Sequence, residues 1–178
     1  ARELTWDHLE MLCGARVTSN YIRIGGVKHG MPEDFPASCR TYIARTRELL
    51  ADFDSMVTGN RIFVDRLKDT GVIDRETCLR YAVTGPMLRS AGVPLDMRKD
   101  EPYLVYDQID FDVPIGEVGD NYDRYFVRMR EMEESMRICR QLDPLIRATN
   151  GEAIALDDPR MTLPPKSEVY SNIEALMN

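Results

Sequence analysis

The segment from Tyr21 to Val27, which reads YIRIGGV, could do chemistry because adjacent glycines can wrap backbone around a phosphate. A dinucleotide-binding turn has the pattern GxGxxG between a strand and a helix, and a Walker loop needs GK followed by Ser or Thr. Neither pattern is present, and a helical period precedes the glycines. Two glycines more simply permit positive φ angles and close backbone contact. The segment is therefore predicted to be a chain reversal that packs against a neighbouring segment.

Thiols and imidazoles are the other groups that could bind a metal or act as nucleophiles. The chain contains Cys13, Cys39, Cys78, Cys139, His8 and His29. The cysteines form no CxxC pair, whereas zinc and iron–sulfur sites need ligands in close local pairs. No Ser–His–Asp set or pair of catalytic carboxylates is recognisable either. The sequence therefore predicts no catalytic residue and no metal ligand, and Cys39 and Cys139 are expected to be buried thiols on apolar helix stripes.

Composition limits the class of protein. The chain has 178 residues, 43% hydrophobic and 30% charged, which predicts a globular domain with a real core. A formal net charge of −7 argues against a nucleic-acid surface and against adsorption on anionic lipid. No apolar run approaches the ~20 residues that span a bilayer, and no signal peptide is recognisable, so a cytosolic location is expected. Because both ends read as helix, we expect a single domain, 1–178, that is a central fragment of a longer subunit.

Apolar periodicity predicts a mainly α-helical fold with a bundle-like core. A first helix is expected to end near Asn20, and a second follows Pro36 and continues to Val57. The clearest helix runs from Tyr122 to Ile146 with Asp120 as its N-cap. Its apolar stripe consists of Tyr122, Tyr125, Phe126, Met129, Met132, Met136, Cys139 and Leu142. Because Met commonly fills gaps in helical cores, the stripe is predicted to be core rather than the lining of a ligand cavity.

Shorter elements lie between and after these helices. Asp74 is a plausible N-cap of a short helix, and a final helix is predicted from Lys166 to Met177. The segment near 107–115 alternates apolar and acidic residues, which predicts a half-buried strand or extended segment. Pro114 would exclude it from the centre of a sheet.

The segment from Arg89 to Pro114 is dense in Arg, Asp and Tyr and poor in helix signals. Its charges could pair across a protein–protein interface, or they could form a solvated irregular loop. The residues alone favour neither reading.

Three stretches resemble one known family. They are GARVTSNYIRIGGV, LPPKSEV and the long block from Thr84 to Ile138, which includes VYDQIDFDVPIGEVGDNYDRY. They resemble the D-type subunit of proton-translocating NADH:quinone oxidoreductase, respiratory complex I, a family that includes the large mitochondrial peripheral-arm counterpart. The resemblance covers the chain from Arg2 to its end. It implies a fold related to the large subunit of nickel–iron hydrogenases, without their metal-binding cysteines.

The resemblance implies quinone chemistry. In this family electrons leave NADH on a flavin subunit and pass through iron–sulfur clusters. The D-type subunit and its small iron–sulfur partner, the B-type subunit, enclose the quinone headgroup near the terminal [4Fe–4S] cluster, which the partner ligates. This segment itself is expected to bind no cofactor and to be inactive alone, because the principal quinone-binding His and Tyr lie outside it. The C-type subunit is a further expected partner, and the resemblance implies that the complex holds the chain peripherally on the cytoplasmic side of the inner membrane.

The resemblance also singles out Arg16, Thr18 and Arg23 as residues near the partner's terminal cluster. Many relatives have a His where this sequence has Thr18, and that His is linked to proton coupling. Thr18 does not titrate in the physiological range, so it cannot supply this coupling. A fixed positive charge on either Arg would favour the more negative reduced cluster. The alternative is that both Arg side chains merely pair with carboxylates.

Two other functions stay open beside the quinone enzyme. One is the large subunit of a membrane-bound nickel–iron hydrogenase, whose metal-binding cysteine pairs would lie outside this segment. The other is a purely structural helical scaffold module that holds its neighbours. The VYDQIDFDVPIGEVGDNYDRY block favours the quinone enzyme over the hydrogenase.

Overall fold

A computed structural model describes residues 2–148, 152–158, 160–162 and 164–177. These residues are mainly α-helical, as the apolar periodicity predicts. The helices are α1 (Arg2–Cys13), α2 (Phe35–Val57), α3 (Arg61–Leu67), α4 (Arg75–Arg80), α5 (Gly85–Ser90), α6 (Met97–Asp100), α7 (Asn121–Ala148), α8 (Lys166–Val169) and α9 (Ile173–Met177). Strands β1 (Ile22–Arg23) and β2 (Gly26–Val27) form an antiparallel pair, and a 3₁₀ turn lies at Tyr106–Gln108.

The chain divides into two compact units. The first comprises Ala1–Tyr42 and Ile146–Asn178, and the second comprises Ile43–Leu145. The single-domain organisation stays a prediction. Within the described residues, no helix combines the length and the apolarity that crossing a bilayer requires.

The two long helices confirm the sequence prediction. α2 begins at Phe35, so Pro36 lies in its first turn, where a missing N–H costs no hydrogen bond. α7 begins directly after the buried Asp120, whose Oδ1 accepts from Asp123 N at 2.7 Å. The predicted cap of α4 is also present, because Asp74 Oδ1 accepts from Thr77 N at 3.0 Å. Side-chain caps therefore fix where these helices begin.

The first helix is shorter than predicted. α1 ends at Cys13 rather than near Asn20. Gly14 has φ 75° and donates its N–H to the Glu10 carbonyl at 2.8 Å, which is a C-terminal cap that glycine adopts easily. The apolar stripe that suggested a longer helix includes Val17, which is exposed.

Of the two forms predicted for the segment near 107–115, a strand is not found within the described residues: a 3₁₀ turn ends at Gln108, and Ile109 continues in an extended conformation. Side chains of α7 bind its backbone instead of a neighbouring strand. Gln141 Oε1 accepts from Asp110 N at 2.9 Å, Gln141 Nε2 donates to Asp110 O at 2.6 Å, and Glu134 accepts from Asp112 N at 3.0 Å. The predicted alternation of buried and exposed side chains is present where Ile109 and Phe111 are buried, although Ile115 is exposed.

The apolar stripe of α7 is only partly the buried face. The buried residues of this helix are Val127, Met136 and Ile138, whereas Met132 and Cys139 are exposed. Ile138 packs with Ile109 and Phe111, so the extended segment covers a face that the stripe omitted. The prediction of a buried thiol at Cys139 was therefore wrong, and Cys39 is half-buried.

The final helix is divided in two. α8 ends at Val169, and α9 begins at Ile173 rather than continuing from α8. Asn172 Oδ1 accepts from Glu174 N at 2.9 Å, so a new N-cap starts the second helix.

Candidate functional site

The Gly-Gly segment is a tight β-hairpin in the first unit. Ile22 pairs with Val27 and Arg23 with Gly26, which leaves Ile24 and Gly25 as the two-residue turn. Lys28 N donates to Tyr21 O at 2.8 Å and extends the pairing by one step. The predicted chain reversal is therefore present, and the second residue of its turn, Gly25, has positive φ, which is where a type II turn favours glycine.

Both glycines are required by the segment that packs beside the hairpin. Val27 N donates to Ile154 O at 2.9 Å, and Leu156 N donates to Gly25 O at 2.7 Å. A Cβ on Gly26 would lie 2.3 Å from Ile154 O. One hairpin N–H, that of Val27, and one hairpin carbonyl, that of Gly25, are thus bound to residues 154–156. These bonds and the close approach at Gly26 show that the segment packs against a neighbouring part of the chain, as the sequence predicts.

The hairpin presents apolar and cationic side chains to solvent. Ile22 is 84% exposed and Ile24 is 71% exposed, and Arg23 between them is also exposed. Large apolar side chains in such a group commonly mark a protein contact surface. Arg23 would be desolvated together with its neighbours if another protein covered the hairpin.

Arg16 lies in a different electrostatic environment. The chain turns back after Gly14, and the Arg16 guanidinium contacts carboxylates of α1: Glu10 at 2.7 Å, Asp7 at 2.8 Å and Glu3 at 3.0 Å. Hydrogen bonds to Glu10 and then Asp7 raise the pKa of Arg16 above its ordinary value. Of the two readings of Arg16, carboxylate pairing is the one observed, and the pairing anchors the hairpin's entry to α1.

The environment of Arg23 differs from that of Arg16. Across the described ranges, no carboxylate pairs with its guanidinium. Thr18 is exposed between the two arginines, and its hydroxyl forms no hydrogen bond to another described residue. The three residues singled out from the sequence therefore differ in the structure. Arg16 is paired with carboxylates, Thr18 is an exposed hydroxyl, and Arg23 is an exposed cation with no carboxylate partner among the described residues.

The contacts of the two histidines near this region were not predicted from the sequence. His29 lies beside Tyr21 at the base of the hairpin, with ring centroids 5.6 Å apart, and its Nδ1 is 3.0 Å from Gly30 O. His8 Nε2 is 3.0 Å from Ser38 Oγ. The hairpin register would have placed His29 near Tyr21, whereas the His8 contact depends on how α1 meets α2.

The described part of the chain supplies no metal centre. No group of three or more His, Cys, Asp or Glu side chains among these residues is arranged to hold a metal ion. The four cysteines are free thiols, of which Cys13 and Cys78 are buried. The hairpin can therefore present the fixed positive charge of Arg23 at an apolar surface.

Comparison with known proteins finds relatives over nearly the whole chain. A family described as "Respiratory-chain NADH dehydrogenase, 49 Kd subunit" matches residues 1–178. The D-type subunit, copy 1, of the NADH-quinone oxidoreductase of Anaeromyxobacter dehalogenans is 48% identical over 177 residues, which is 99% of this chain and 40% of that protein. The D-type subunit of the Myxococcus xanthus enzyme is also 48% identical, with 99% of this chain and 42% of that protein covered. The corresponding subunit of Clostridium beijerinckii is 42% identical over 97% of this chain and 46% of its own length.

The family match covers the hairpin, both long helices and the segment between them. The chain spans about two fifths of the length of the first two relatives. With a match over all of its residues, the chain belongs to the family of the 49 kDa subunit of the respiratory-chain NADH dehydrogenase.

Proposed function

We propose that this chain is the part of a quinone-reducing subunit that places a charged hairpin against the terminal [4Fe–4S] cluster of its partner. The complex oxidises NADH to NAD⁺, and the two electrons reduce quinone, which takes up two protons to become quinol. In this proposal the complex couples the transfer to proton translocation. The single observation that carries the proposal is Arg23, which is exposed between Ile22 and Ile24 and has no carboxylate partner among the described residues.

The chemistry of the hairpin fits a cluster held by another subunit. Within the described residues no ligand set for a metal exists, so this chain would supply charge rather than thiolates. The apolar flanks, Ile22 and Ile24, would exclude water from the contact. A lower effective dielectric strengthens the interaction of Arg23 with a group that gains negative charge on reduction.

Arg16 and Thr18 have distinct roles in this proposal. Arg16 holds the hairpin's entry against α1, because three carboxylates already compensate its charge. Thr18 cannot exchange a proton near neutral pH, so it does not couple protons to the cluster as a His would. Arg23 is the residue through which the hairpin would influence the cluster's potential.

The proposal extends to partners, location and fold ancestry. The small iron–sulfur subunit of the B type would ligate the terminal cluster and cover the hairpin, and the C-type subunit would be a further neighbour in the peripheral arm. The complex would hold the chain on the cytoplasmic side of the membrane. The fold would be related to nickel–iron hydrogenase large subunits, with the principal quinone-binding His and Tyr outside residues 1–178.

Loss and restoration of the full-length subunit test this proposal. Membranes from a strain that lacks the subunit should lose NADH:quinone turnover, and the parent subunit should restore it. Hydrogen uptake should be unchanged in both strains. Retained NADH:quinone turnover in the deletion strain would contradict the proposal, and loss of hydrogen uptake would support the hydrogenase instead.

A further inference from the structure

The turn from Tyr103 to Tyr106 presents a leucine in an unfavourable conformation. Tyr106 N donates to Tyr103 O at 3.2 Å, and Leu104 at the second position has φ 52°. Bulky residues rarely adopt positive φ, and turns with positive φ at this position usually place glycine there. Leu104 is nevertheless 86% exposed, so burial within the chain does not compensate for the strain.

An aromatic and cationic base supports the turn from within the second unit. The ring of Tyr106 lies 5.0 Å from that of Tyr103 and 6.3 Å from that of buried Phe111. The Arg98 guanidinium lies 4.8 Å from the centre of Phe111 and bonds both oxygens of Asp96, at 3.0 and 2.7 Å. The turn that carries the exposed leucine is thus packed against the ring of Phe111 through Tyr106, and it is not an unsupported loop.

Two carboxylates lie three residues before and three residues after this leucine along the chain. Glu101 and Asp107 are exposed, and no cation in the described part of the chain pairs with either carboxylate. We call the group Glu101, Tyr103, Leu104, Val105 and Asp107 the Leu104 surface. It combines the exposed apolar side chain of Leu104 with an acidic border, which consists of Glu101 and Asp107.

We propose that the Leu104 surface docks a partner protein whose apolar pocket is bordered by Lys or Arg side chains. A second copy of this chain is disfavoured, because it would bring the same carboxylates together. An anionic bilayer would repel the acidic border as well. The segment from Arg89 to Pro114 could be an interface or a solvated loop by its sequence. The present proposal makes residues 101–107 of that segment an interface. It goes beyond the proposed function, because it uses neither the hairpin nor quinone.

Substitution by glycine separates docking from folding. Glycine adopts positive φ without strain, so Leu104→Gly removes the apolar side chain and also relieves the backbone strain at this position. In the full-length subunit, Leu104→Gly should lower recovery of the partner with the tagged subunit at least fivefold and leave its thermal midpoint unchanged or higher. Ala82 is the matched control, because it is also exposed and has φ 51°. Ala82→Gly relieves the backbone in the same way, so the thermal midpoint should be unchanged or higher while recovery of the partner stays the same.

A second variant provides the test if the Leu104→Gly protein does not accumulate in cells. Asn tolerates positive φ and is polar, so Leu104→Asn should also lower recovery of the partner. Unchanged recovery in a folded variant would overturn the proposal. A fall in recovery that accompanies a lower thermal midpoint would overturn it too, because the leucine would then be structural.

Photo-cross-linking identifies the occupant. Benzoylphenylalanine at position 104 of the full-length subunit in cells should give one main product. Its partner peptide, identified by mass spectrometry, should carry Lys or Arg beside apolar residues. The double variant Glu101→Gln, Asp107→Asn should reduce the yield severalfold. A product with a second copy of the subunit, with another segment of the same subunit, with lipid, or with an acidic peptide would overturn the proposal.

The same cells distinguish this proposal from the proposed function. If membranes lack NADH:quinone turnover while position 104 still cross-links to a basic partner, the proposed function fails and the Leu104 surface stands. If turnover is present and no cross-link forms, the Leu104 surface fails alone.

Discussion

At the scale of single residues, neighbouring charges and backbone contacts decide what each candidate does. Arg16 and Arg23 have the same side chain and lie seven positions apart, yet three carboxylates bind the first and none among the described residues binds the second. Sequence could identify both arginines but could not distinguish them. The distinction depends on the chain turning back onto α1 after Gly14, which is a tertiary contact.

Gly26 provides a stability test of the hairpin packing. Its φ is 152°, and a Cβ would lie 2.3 Å from Ile154 O and 2.8 Å from Ala155 Cα. Gly26→Ala should therefore reduce the free energy of unfolding by on the order of 3 kcal/mol, measured by urea denaturation. Gly30→Ala is the matched control, since a Cβ there meets nothing within 4 Å. Its effect should stay within about 0.5 kcal/mol. Equal effects of the two substitutions would contradict the packing argument.

At the scale of elements, local signals predicted helices better than extended structure. The caps Asp74 and Asp120 are visible in the sequence and begin their helices as predicted. The segment near 107–115 has a strand-like alternation, but the partners of its backbone are side chains of α7. Such partners cannot be read from a period-two pattern, because that pattern reports burial and not the source of the hydrogen bonds.

Removal of Gln141 should free this segment without unfolding α7. Gln141→Ala takes away the acceptor for Asp110 N and the donor to Asp110 O. Amide hydrogen exchange at Asp110 should become at least about tenfold faster, as expected for loss of one hydrogen bond of about 1.4 kcal/mol. Exchange within α7 should not change. Arg140→Ala, at an exposed neighbouring position, should leave Asp110 unaffected. Unchanged exchange at Asp110 in Gln141→Ala would be the contrary result.

The Asp96–Arg98 pair gives stability a defined pH dependence. Hydrogen bonds from Arg98 lower the pKa of Asp96 below its ordinary value of 3.8. Because the folded pKa is the lower one, the stabilisation is complete above the unfolded pKa and is lost as pH falls through the folded pKa. Asp96→Asn should cost ~2 kcal/mol of unfolding free energy at neutral pH. The difference from the parent should shrink below about pH 4.

Denaturation at a series of pH values checks this pair. Asp107→Asn is a control at neutral pH, because Asp107 is exposed and pairs with no cation in the described ranges. It should leave the unfolding free energy unchanged there. A difference between Asp96→Asn and the parent that grows toward acid pH would show that the pair has been assigned the wrong sign.

At the scale of the whole molecule, family membership and helical class could be predicted from sequence, whereas the surfaces could not. Long ordered motifs identified the family, and apolar periods located α2 and α7. The exposure of Ile22, Ile24 and Leu104 could not be predicted, because apolar residues are by default expected in a core. These surfaces carry the proposals because at each of them exposed apolar side chains are neighbours, and contiguous apolar patches mark interaction sites more often than single exposed side chains do.

A redox titration of the terminal iron–sulfur cluster in the assembled complex tests the central claim most directly. Followed by electron paramagnetic resonance, Arg23→Gln should lower the midpoint potential by tens of millivolts. A unit charge about 10 Å away at an effective dielectric near 20 is worth on the order of 1–2 kcal/mol, and 59 mV corresponds to a tenfold change. Arg23→Lys keeps the charge and should leave the potential near that of the parent. If Arg23→Gln assembles normally and the potential does not move, the hairpin does not act on the cluster and the central claim is wrong.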